Sequence, residues 1–430
     1  MPISQGSEDS SARGARDPVA RPAPSLPATS FAWWVGLAII TIAWLRHVGP
    51  LGEAGLDANY YLQASRAISL AHSPYGPVTN YIYPPLLAWF LCFVPAWALP
   101  LVWNILTRLS AFVVVALAAR ASGLWGRLAG LLCIGMLFSQ PITYSVTIGN
   151  ASVVVAAVLA VAATCWRRAP PLTGMLFGVA TLLKLTPVLL VVFLFGAWLA
   201  ARDRRTLLAC TGALLTLALG ALLPHTLAYL ASVTRAVDSR IAAGANFSVA
   251  ADMYRLLGVA KLATALFVLA CLVAGWLGFR MSNTRKGLVP GFALGQLAVV
   301  AFSPVAWSHW FALAVWPAGL ALGAALASPN WRRPPRDARS LSHLLFVIAA
   351  ALTICETDFF YFREPWFGHT VLPLFPLLAL SALAGILLSD PRDTFSATSM
   401  AHSEWARRRC MPPAGKACNG RGNEKSKTAL

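Results

Sequence analysis

A few charged side chains interrupt a chain that is otherwise strongly apolar, and their types are suited to chemistry. The stretch GLDANYYLQASRAI, residues 55–68, carries Asp57, although the chain has only 16 acidic residues in 430. One interpretation of Asp57 is structural, because Asp is a good N-cap for a helix that follows it. The other is functional, because a carboxylate at the mouth of a lipid-facing cavity is placed to act as a general base. The sequence leaves both open.

Lys184 is the most anomalous cation, because apolar residues surround it in GVATLLKLTPVLLVV. An unpaired ammonium there is unfavourable by several kcal/mol unless it snorkels to the interface, pairs with an acid or binds an anion. Pro187 follows it and predicts a bend in the chain. At a bend deep in an apolar segment, anion binding explains Lys184 better than snorkelling does.

Other polar residues fall in short stretches between the apolar segments. Asn150 begins the triplet NAS, Ser248 lies in GANFSVAADMYRLLG, and His309 lies in SPVAWSHW. A lone His near a helix end is more often structural or interfacial than catalytic. The topology predicted below turns His309 towards Asp57, which favours a role in the same site. Asn246 starts the triplet NFS, which also matches a glycosylation acceptor, a pattern that is frequent by chance.

The elements that must position these residues are membrane helices. Hydrophobic residues make up 58% of the chain, charged residues only 12%, and the mean hydropathy is +0.65. Apolar segments recur, many of them near the ~20 residues that cross a bilayer as a helix. We therefore predict an all-α polytopic membrane protein with roughly 10–13 transmembrane or re-entrant helices. The segments lie near 31–46, 85–120, 126–140, 150–166, 172–199, 206–231, 259–279, 288–303, 309–328, 341–356 and 367–388.

Two of these segments need a special interpretation. Residues 85–120 are long enough for two helices, and we expect one net crossing, partly as a helix lying along the interface. Residues 172–199 have basic pairs on both sides, which a re-entrant hairpin bent near Lys184 and Pro187 would explain.

The membrane domain is predicted to span residues 30–389. Residues 1–29 and 390–430 are polar, rich in Pro, Ser, Gly and Arg, and typical of disordered tails. Between the membrane segments, the first long loop, 47–84, repeats apolar residues from Tyr60 onwards at helical spacing, which predicts an amphipathic helix on the membrane.

The charge of the chain indicates orientation rather than a polyanionic partner. The net charge is +18, but the basic residues form short clusters between apolar segments. Such clusters favour the cytoplasmic side, so both tails are predicted to be cytoplasmic and Asp57 external. No nucleic-acid partner is expected, because no continuous basic surface is indicated.

Metal ligands and cofactor motifs are not apparent in the sequence. Cys410 and Cys418 lack histidines at ligand spacing, and the other six cysteines lie in or beside apolar segments. The external loops contain no DxD and no cluster of His and acidic residues at ligand spacing. We therefore expect neither a metal nor a cofactor.

The order of these motifs resembles glycosyltransferase family 87, membrane enzymes of the GT-C superfamily that use polyprenyl-phosphate sugars. The resemblance covers residues 57–310. It rests on Asp57, the PYG…YPPL block with Tyr83, LLKLTP with Lys184, the N-x-S block with Asn246 and Ser248, and SPxxWxH with His309. There are two departures: GNAS at Asn150 stands where the family often has GQxN, and Phe247 replaces a usual Gln.

The resemblance implies a GT-C-type bundle with a long first external loop in the bacterial plasma membrane. It implies an inverting transfer of a sugar, mannose rather than arabinofuranose, from a polyprenyl-phosphate donor to a lipid or glycan acceptor. Asp57 would be the base, Lys184 and Arg255 would bind the donor phosphate, and His309 would orient the acceptor or contact phosphate. Further substrate contacts are expected from Tyr83, Asn150, Asn246 and Ser248.

A transporter or flippase for a lipid-linked or small polar substrate is the alternative. Polar residues at membrane depth also mark transport pathways. A transporter built from repeats should show matching halves, and the sequence shows no internal repeat. The transferase is therefore the favoured hypothesis.

Overall fold

All regular structure in the described part of the chain is helical. A computed structural model describes residues 28–53, 55–75, 81–240, 248–259, 261–282, 287–304, 306, 308–327, 381 and 384. Within these ranges it contains fifteen α-helices, one 3-10 helix and no strand. The predicted all-α polytopic class is confirmed. The predicted C-terminal tail, residues 1–27 of the N-terminal tail, the segment near 341–356 and nearly all of 367–388 lie outside the described residues.

The helices are numbered in chain order. They are α1 (Ala28–His47), α2 (Leu56–Ser69), α3 (Pro85–Cys92), α4 (Leu99–Ala121), α5 (Gly126–Leu137), α6 (Gln140–Thr147), α7 (Ser152–Cys165), α8 (Pro170–Leu183), α9 (Val188–Ala201), α10 (Arg204–Ala221), α11 (Thr226–Arg240), α12 (Val249–Leu257), α13 (Lys261–Ser282), α14 (Val289–Phe302) and α15 (Val315–Ala327). The 3-10 helix, Ser308–Ala314, directly precedes α15.

Only some of these helices have the length of a membrane crossing. Among the described residues, α4 and α13 are long and apolar enough to span a bilayer alone. The count rises to four if two bent pairs each form one span, α5 with α6 at 53° and α10 with the start of α11 at 95°. The 14-residue helices α7, α8, α9 and α14 are about 21 Å long, shorter than a hydrocarbon core of ~30 Å.

The long apolar segments divide at proline-containing breaks. Residues 85–120 form the short helix α3 and the long helix α4, and α4 alone is long and apolar enough to cross a bilayer. That a helix of this segment lies along the interface stays a prediction. Residues 172–199 are interrupted after Leu183, so Lys184 and Pro187 lie at the expected break. The segment near 206–231 was given as one apolar segment, but it forms two helices, α10 and the start of α11. The chain turns by 95° between them. Pro224 lies in that turn and cannot donate a backbone hydrogen bond to continue the helix.

The centre of the bundle is formed by helices that are apolar on every face. Ten residues of α7 and ten of α14 are buried, out of fourteen in each helix. Phe292 of α14 makes edge-to-face ring contacts with Trp166, Phe177 and Phe193, at centroid distances of 5.5, 5.1 and 5.7 Å. These contacts join α14 to α8 and α9 and to the end of α7. The central helices therefore provide a fixed frame for the residues at their ends.

Candidate functional site

Asp57 lies in the first turn of α2, at the edge of the central frame. The helix begins at Leu56, and Gly55 is its N-cap. The N-cap interpretation of Asp57 is therefore wrong, because Asp57 is the second residue of the helix. The backbone N–H of Asp57 donates to the carbonyl of Ile148 at 2.9 Å, which ties the start of α2 to the turn before α7. Asp57 is buried, with 6% of its surface exposed. The helix itself was predicted correctly, and its face with Tyr61 is buried.

Asn150 is the hub of the hydrogen bonds around Asp57. Its amide nitrogen donates to Asp57 Oδ2 at 2.5 Å and to the hydroxyl of Tyr83 at 3.0 Å. Its amide oxygen accepts the backbone N–H of Ser152 at 2.7 Å. An amide that donates to a carboxylate stabilises its ionised form. Asn150 therefore fixes the orientation of the Asp57 carboxyl group and connects it to the start of α7.

The turn that presents Asn150 depends on glycine. Gly149 has φ +67°, and a Cβ at this position would lie 2.7 Å from the Cβ of Ala58. Its carbonyl accepts the indole N–H of Trp103 at 2.8 Å. Residues with a Cβ adopt such φ values only at a cost in free energy, which favours glycine here. The missing Cβ also allows the close approach between α2 and the turn.

A layer of aromatic rings packs behind the carboxylate. The ring of Tyr61 lies edge-to-face on those of Tyr83 and Trp103, at 5.1 and 5.2 Å between centroids. The Tyr61 hydroxyl accepts the backbone N–H of Ala151 at 3.0 Å. Burial, together with the neighbouring Tyr83 and Asp57, raises the pKa of Tyr61 well above its usual value. Tyr61 therefore remains a neutral phenol near Asp57 at physiological pH.

Lys184 lies on the other side of the same network. Only 3% of its surface is exposed, so the side chain does not snorkel into solvent. Its Nζ donates to the hydroxyl of Ser152 at 2.5 Å. The ammonium lies 3.5 Å from the centroid of the Trp310 ring and 5.7 Å from that of Tyr83, within the range of cation–π attraction.

A cavity of about 200 Å³ opens beside Lys184. Its polar lining includes Lys184, Thr186 and Ser303, and Tyr83 and Trp310 contribute aromatic surface. The hydroxyl of Thr186 is buried and has no hydrogen-bond partner in the described structure. The rest of the wall comes from Ile82, Pro84, Leu185, Tyr229, Val233, Thr264, Phe267 and Pro304. Among the described residues, the cavity lining therefore combines one cation, Lys184, with a largely apolar wall.

His309 occupies the 3-10 helix that also carries Trp310. It is buried, and its backbone carbonyl accepts the hydroxyl of Ser145 at 3.1 Å. Its ring lies 6.2 Å from that of Tyr144 between centroids. His309 and Asp57 are not among the residues that line the cavity, whereas Lys184 and Trp310 are. His309 is therefore buried next in sequence to Trp310, which lines the cavity, and is not itself part of the lining.

The remaining predicted site residues lie on or before α12. Ser248 is the N-cap of α12, accepting the N–H of Ala251 at 3.0 Å, and its hydroxyl donates to the carbonyl of Pro304 at 3.5 Å. These bonds give Ser248 a structural role beside the cavity wall. Arg255 belongs to α12, but its side chain lies outside the described residues, as does all of Asn246.

Four polar or aromatic residues of the site were missed by the sequence analysis. Ser152 was the only hydroxyl in the first two turns of an apolar helix, which is a usable signal. Thr186 directly follows the LLKL stretch, and Trp310 directly follows His309. Tyr61 was recognised only as part of a helical pattern. Their roles depend on contacts between distant segments, which spacing does not reveal.

Fold and site together define a polytopic α-helical membrane protein in which a carboxylate and an ammonium share one buried polar network beside a cavity. The chain belongs to glycosyltransferase family 87, whose model matches residues 81–304, more than half of its length. The match includes Tyr83, Asn150 and Lys184, while Asp57 precedes it and His309 follows it. A comparison with curated proteins gave no match. The protein is therefore a membrane glycosyltransferase, and the transporter alternative is not supported.

Proposed function

We propose that this glycosyltransferase moves a sugar from a polyprenyl-phosphate donor to a hydroxyl of a lipid or glycan acceptor, with inversion at the anomeric carbon. One observation carries the proposal: the turn at Asn150 and Ser152 holds both the Asp57 carboxylate and the Lys184 ammonium. A base and a cation in fixed relation are what such a transfer requires.

Asp57 is the general base in this mechanism. Its carboxylate takes the proton of the acceptor hydroxyl while the hydroxyl oxygen attacks the anomeric carbon. The bond between that carbon and the phosphate oxygen breaks on the opposite face, and polyprenyl phosphate leaves with the electron pair. Asn150 keeps the carboxylate in one orientation through its 2.5 Å hydrogen bond.

Lys184 stabilises the departing phosphate. The cavity beside it offers the ammonium and the Thr186 hydroxyl to phosphate oxygens, and apolar side chains such as Phe267 to the isoprenoid chain. An ammonium in a water-poor site stabilises developing negative charge more strongly than it does in water. Arg255 is proposed as a second phosphate ligand, and His309 as the residue that orients the acceptor or contacts phosphate.

The donor class is tested with membranes that carry the protein. They are incubated with radiolabelled polyprenyl-phosphate mannose, polyprenyl-phosphate arabinofuranose or a nucleotide-linked mannose, and labelled lipid and glycan are measured. We expect label from polyprenyl-phosphate mannose alone, and none with the Asp57→Asn protein. The Glu53→Gln protein, which loses an exposed acid of the same loop, is the matched control. Transfer from the nucleotide sugar by membranes cleared of polyprenyl phosphate would contradict the proposal.

The site is proposed to face the outside of a bacterial plasma membrane, with both tails in the cytoplasm. The distribution of basic clusters supports this orientation. In a variant without its natural cysteines, Ser73→Cys should react with an impermeant thiol reagent in intact cells, whereas Ser396→Cys should not. Equal reaction at both positions would contradict the orientation.

A further inference from the structure

A second cationic feature lies between the end of α1 and the first turns of α4, away from the cavity at Lys184. A groove of about 570 Å³ separates α1, the turn after it and α4. Within the part of the chain that the structure describes, no residue lines both the groove and the cavity beside Lys184. The groove is lined by Ile42, Leu45, Arg46, Gly49, Pro50, Leu51, Ile105, Arg108, Leu109 and Phe112.

Arg108 is the central polar residue of this groove. It lies nine residues after the start of α4 and only 6% of its surface is exposed. One terminal nitrogen, Nη2, donates to the carbonyl of Gly49 at 2.5 Å, but its buried Nε has no partner in the described structure. A guanidinium carries five N–H donors, and a buried charge without an anion is unfavourable. In the described structure Arg108 therefore lines the groove with its charge paired to one backbone carbonyl and to no anion.

Arg46 supplies a second guanidinium in the last turn of α1, where it is exposed. The walls beside the two arginines are apolar and open. Leu109 keeps 58% of its surface exposed and Leu51 57%. Leu109 belongs to α4, which is long and apolar enough to cross a bilayer, so its exposed side chain is suited to contact lipid chains.

The groove and the catalytic network use different faces of α4. Trp103 directs its indole N–H at Gly149, beside Asp57. Arg108 is five residues later, which corresponds to about 140° around an α-helix. A ligand in the groove thus lies across α4 from the transfer site.

We propose that this groove binds an anionic membrane phospholipid, with its phosphate between Arg46 and Arg108. An acyl chain lies along the apolar wall formed by Ile105, Leu109 and Phe112. Guanidinium groups bind phosphate through paired, charge-assisted hydrogen bonds. The exposed apolar wall favours a phosphate that carries a lipid over inorganic phosphate. The proposal does not depend on the donor or the acceptor of the transfer reaction.

The binding is measured by native mass spectrometry of the purified, detergent-solubilised protein. Phosphatidylglycerol is compared with phosphatidylcholine of the same acyl chains, and with inorganic phosphate alone. We expect phosphatidylglycerol to be retained in preference to both. Arg46→Gln should weaken its affinity about fivefold and Arg108→Gln about tenfold or more, since Arg108 is the buried partner. Arg120→Gln, an exposed arginine at the end of α4, is the matched control and should bind as the unmodified protein does.

A second variant keeps the test valid if Arg108→Gln does not fold. Leu109→Trp fills the groove without changing charge, and we expect it to weaken phosphatidylglycerol binding as well. Equal retention of phosphatidylcholine and phosphatidylglycerol, or wild-type affinity in both Arg46→Gln and Leu109→Trp, would overturn the proposal. Inorganic phosphate that displaces the lipid at equal concentration would also overturn it, because the apolar wall would then contribute nothing.

Discussion

Lys184 and Arg108 are both cations buried in apolar surroundings, yet the protein surrounds them differently. Lys184 donates to the Ser152 hydroxyl and lies over the rings of Trp310 and Tyr83, at 3.5 and 5.7 Å from their centroids. Arg108 donates to one backbone carbonyl, and its Nε has no partner in the described structure. The first cation is compensated by groups from three other parts of the chain. The second is left open towards a groove.

The difference follows from what each cation is proposed to do. A cation that stabilises a leaving group must be held close to its productive position, because small displacements reduce the rate. Fixed partners such as Ser152 provide that position. A cation that binds a mobile lipid headgroup gains its partners from the lipid, so incomplete compensation within the protein is tolerable. The comparison therefore predicts strong effects on transfer near Lys184 and effects on lipid binding near Arg108.

The largest expected effect tests whether the acid beside Lys184 is a base. Asp57→Asn keeps the shape of the side chain, and an amide oxygen can still accept from Asn150. The amide cannot take the acceptor's proton, and loss of a general base lowers the rate by a factor on the order of 10² to 10⁴. We expect a folded protein whose transfer rate falls by that factor while donor binding persists. Transfer at the unmodified rate would show that another group is the base.

The next effect tests the compensated cation itself. Lys184→Met keeps an unbranched apolar side chain but removes the charge that would contact the donor phosphate. Charge-assisted hydrogen bonds contribute about 1.5–3 kcal/mol, so transfer should fall about tenfold to 100-fold. Lys261→Met, the same change at an exposed lysine, is the control. The transfer rate and the donor affinity are measured by steady-state kinetics at varied donor concentration. If both were unchanged in Lys184→Met, Lys184 would have no part in the mechanism.

A smaller effect is expected from the group that positions Lys184. Ser152→Ala removes the acceptor of the ammonium's 2.5 Å hydrogen bond but leaves its charge in place. We expect about a threefold to tenfold lower transfer rate and a lower melting temperature, because a buried donor loses its partner. Thr164→Ala, at an exposed position of the same helix, should change neither. If Ser152→Ala matched Lys184→Met in severity, the hydroxyl itself would act on substrate.

The smallest effect concerns the frame behind the carboxylate. Trp103→Phe keeps ring packing on Tyr61 but removes the N–H that donates to Gly149. A hydrogen bond of this kind contributes about 1 kcal/mol, so thermal unfolding should begin at a slightly lower temperature. Trp125→Phe, at an exposed tryptophan, serves as its control. A transfer rate that fell as far as that of Asp57→Asn would give Trp103 a more direct role than the structure shows.

The sequence by itself determined the class of the protein and its two most important charges. Apolar segments of membrane length depend only on local composition, so they predicted the all-α polytopic fold and the break at Lys184. Asp57 and Lys184 stood out because ionised groups in apolar surroundings need a reason to be there. The helical spacing after Asp57 likewise predicted α2 correctly.

Tertiary structure decided how those charges are connected. Asp57 and Asn150 are 93 positions apart, and Lys184 and Ser152 are 32 apart, yet each pair forms a 2.5 Å hydrogen bond. It also decided that Gly55 rather than Asp57 is the N-cap, and that the segment near 206–231 bends. The physical reason is that hydrogen-bond partners and cavity walls depend on which helix ends the packed bundle brings together. The periodicity of apolar residues along the sequence carries no information about which helix ends lie close in space.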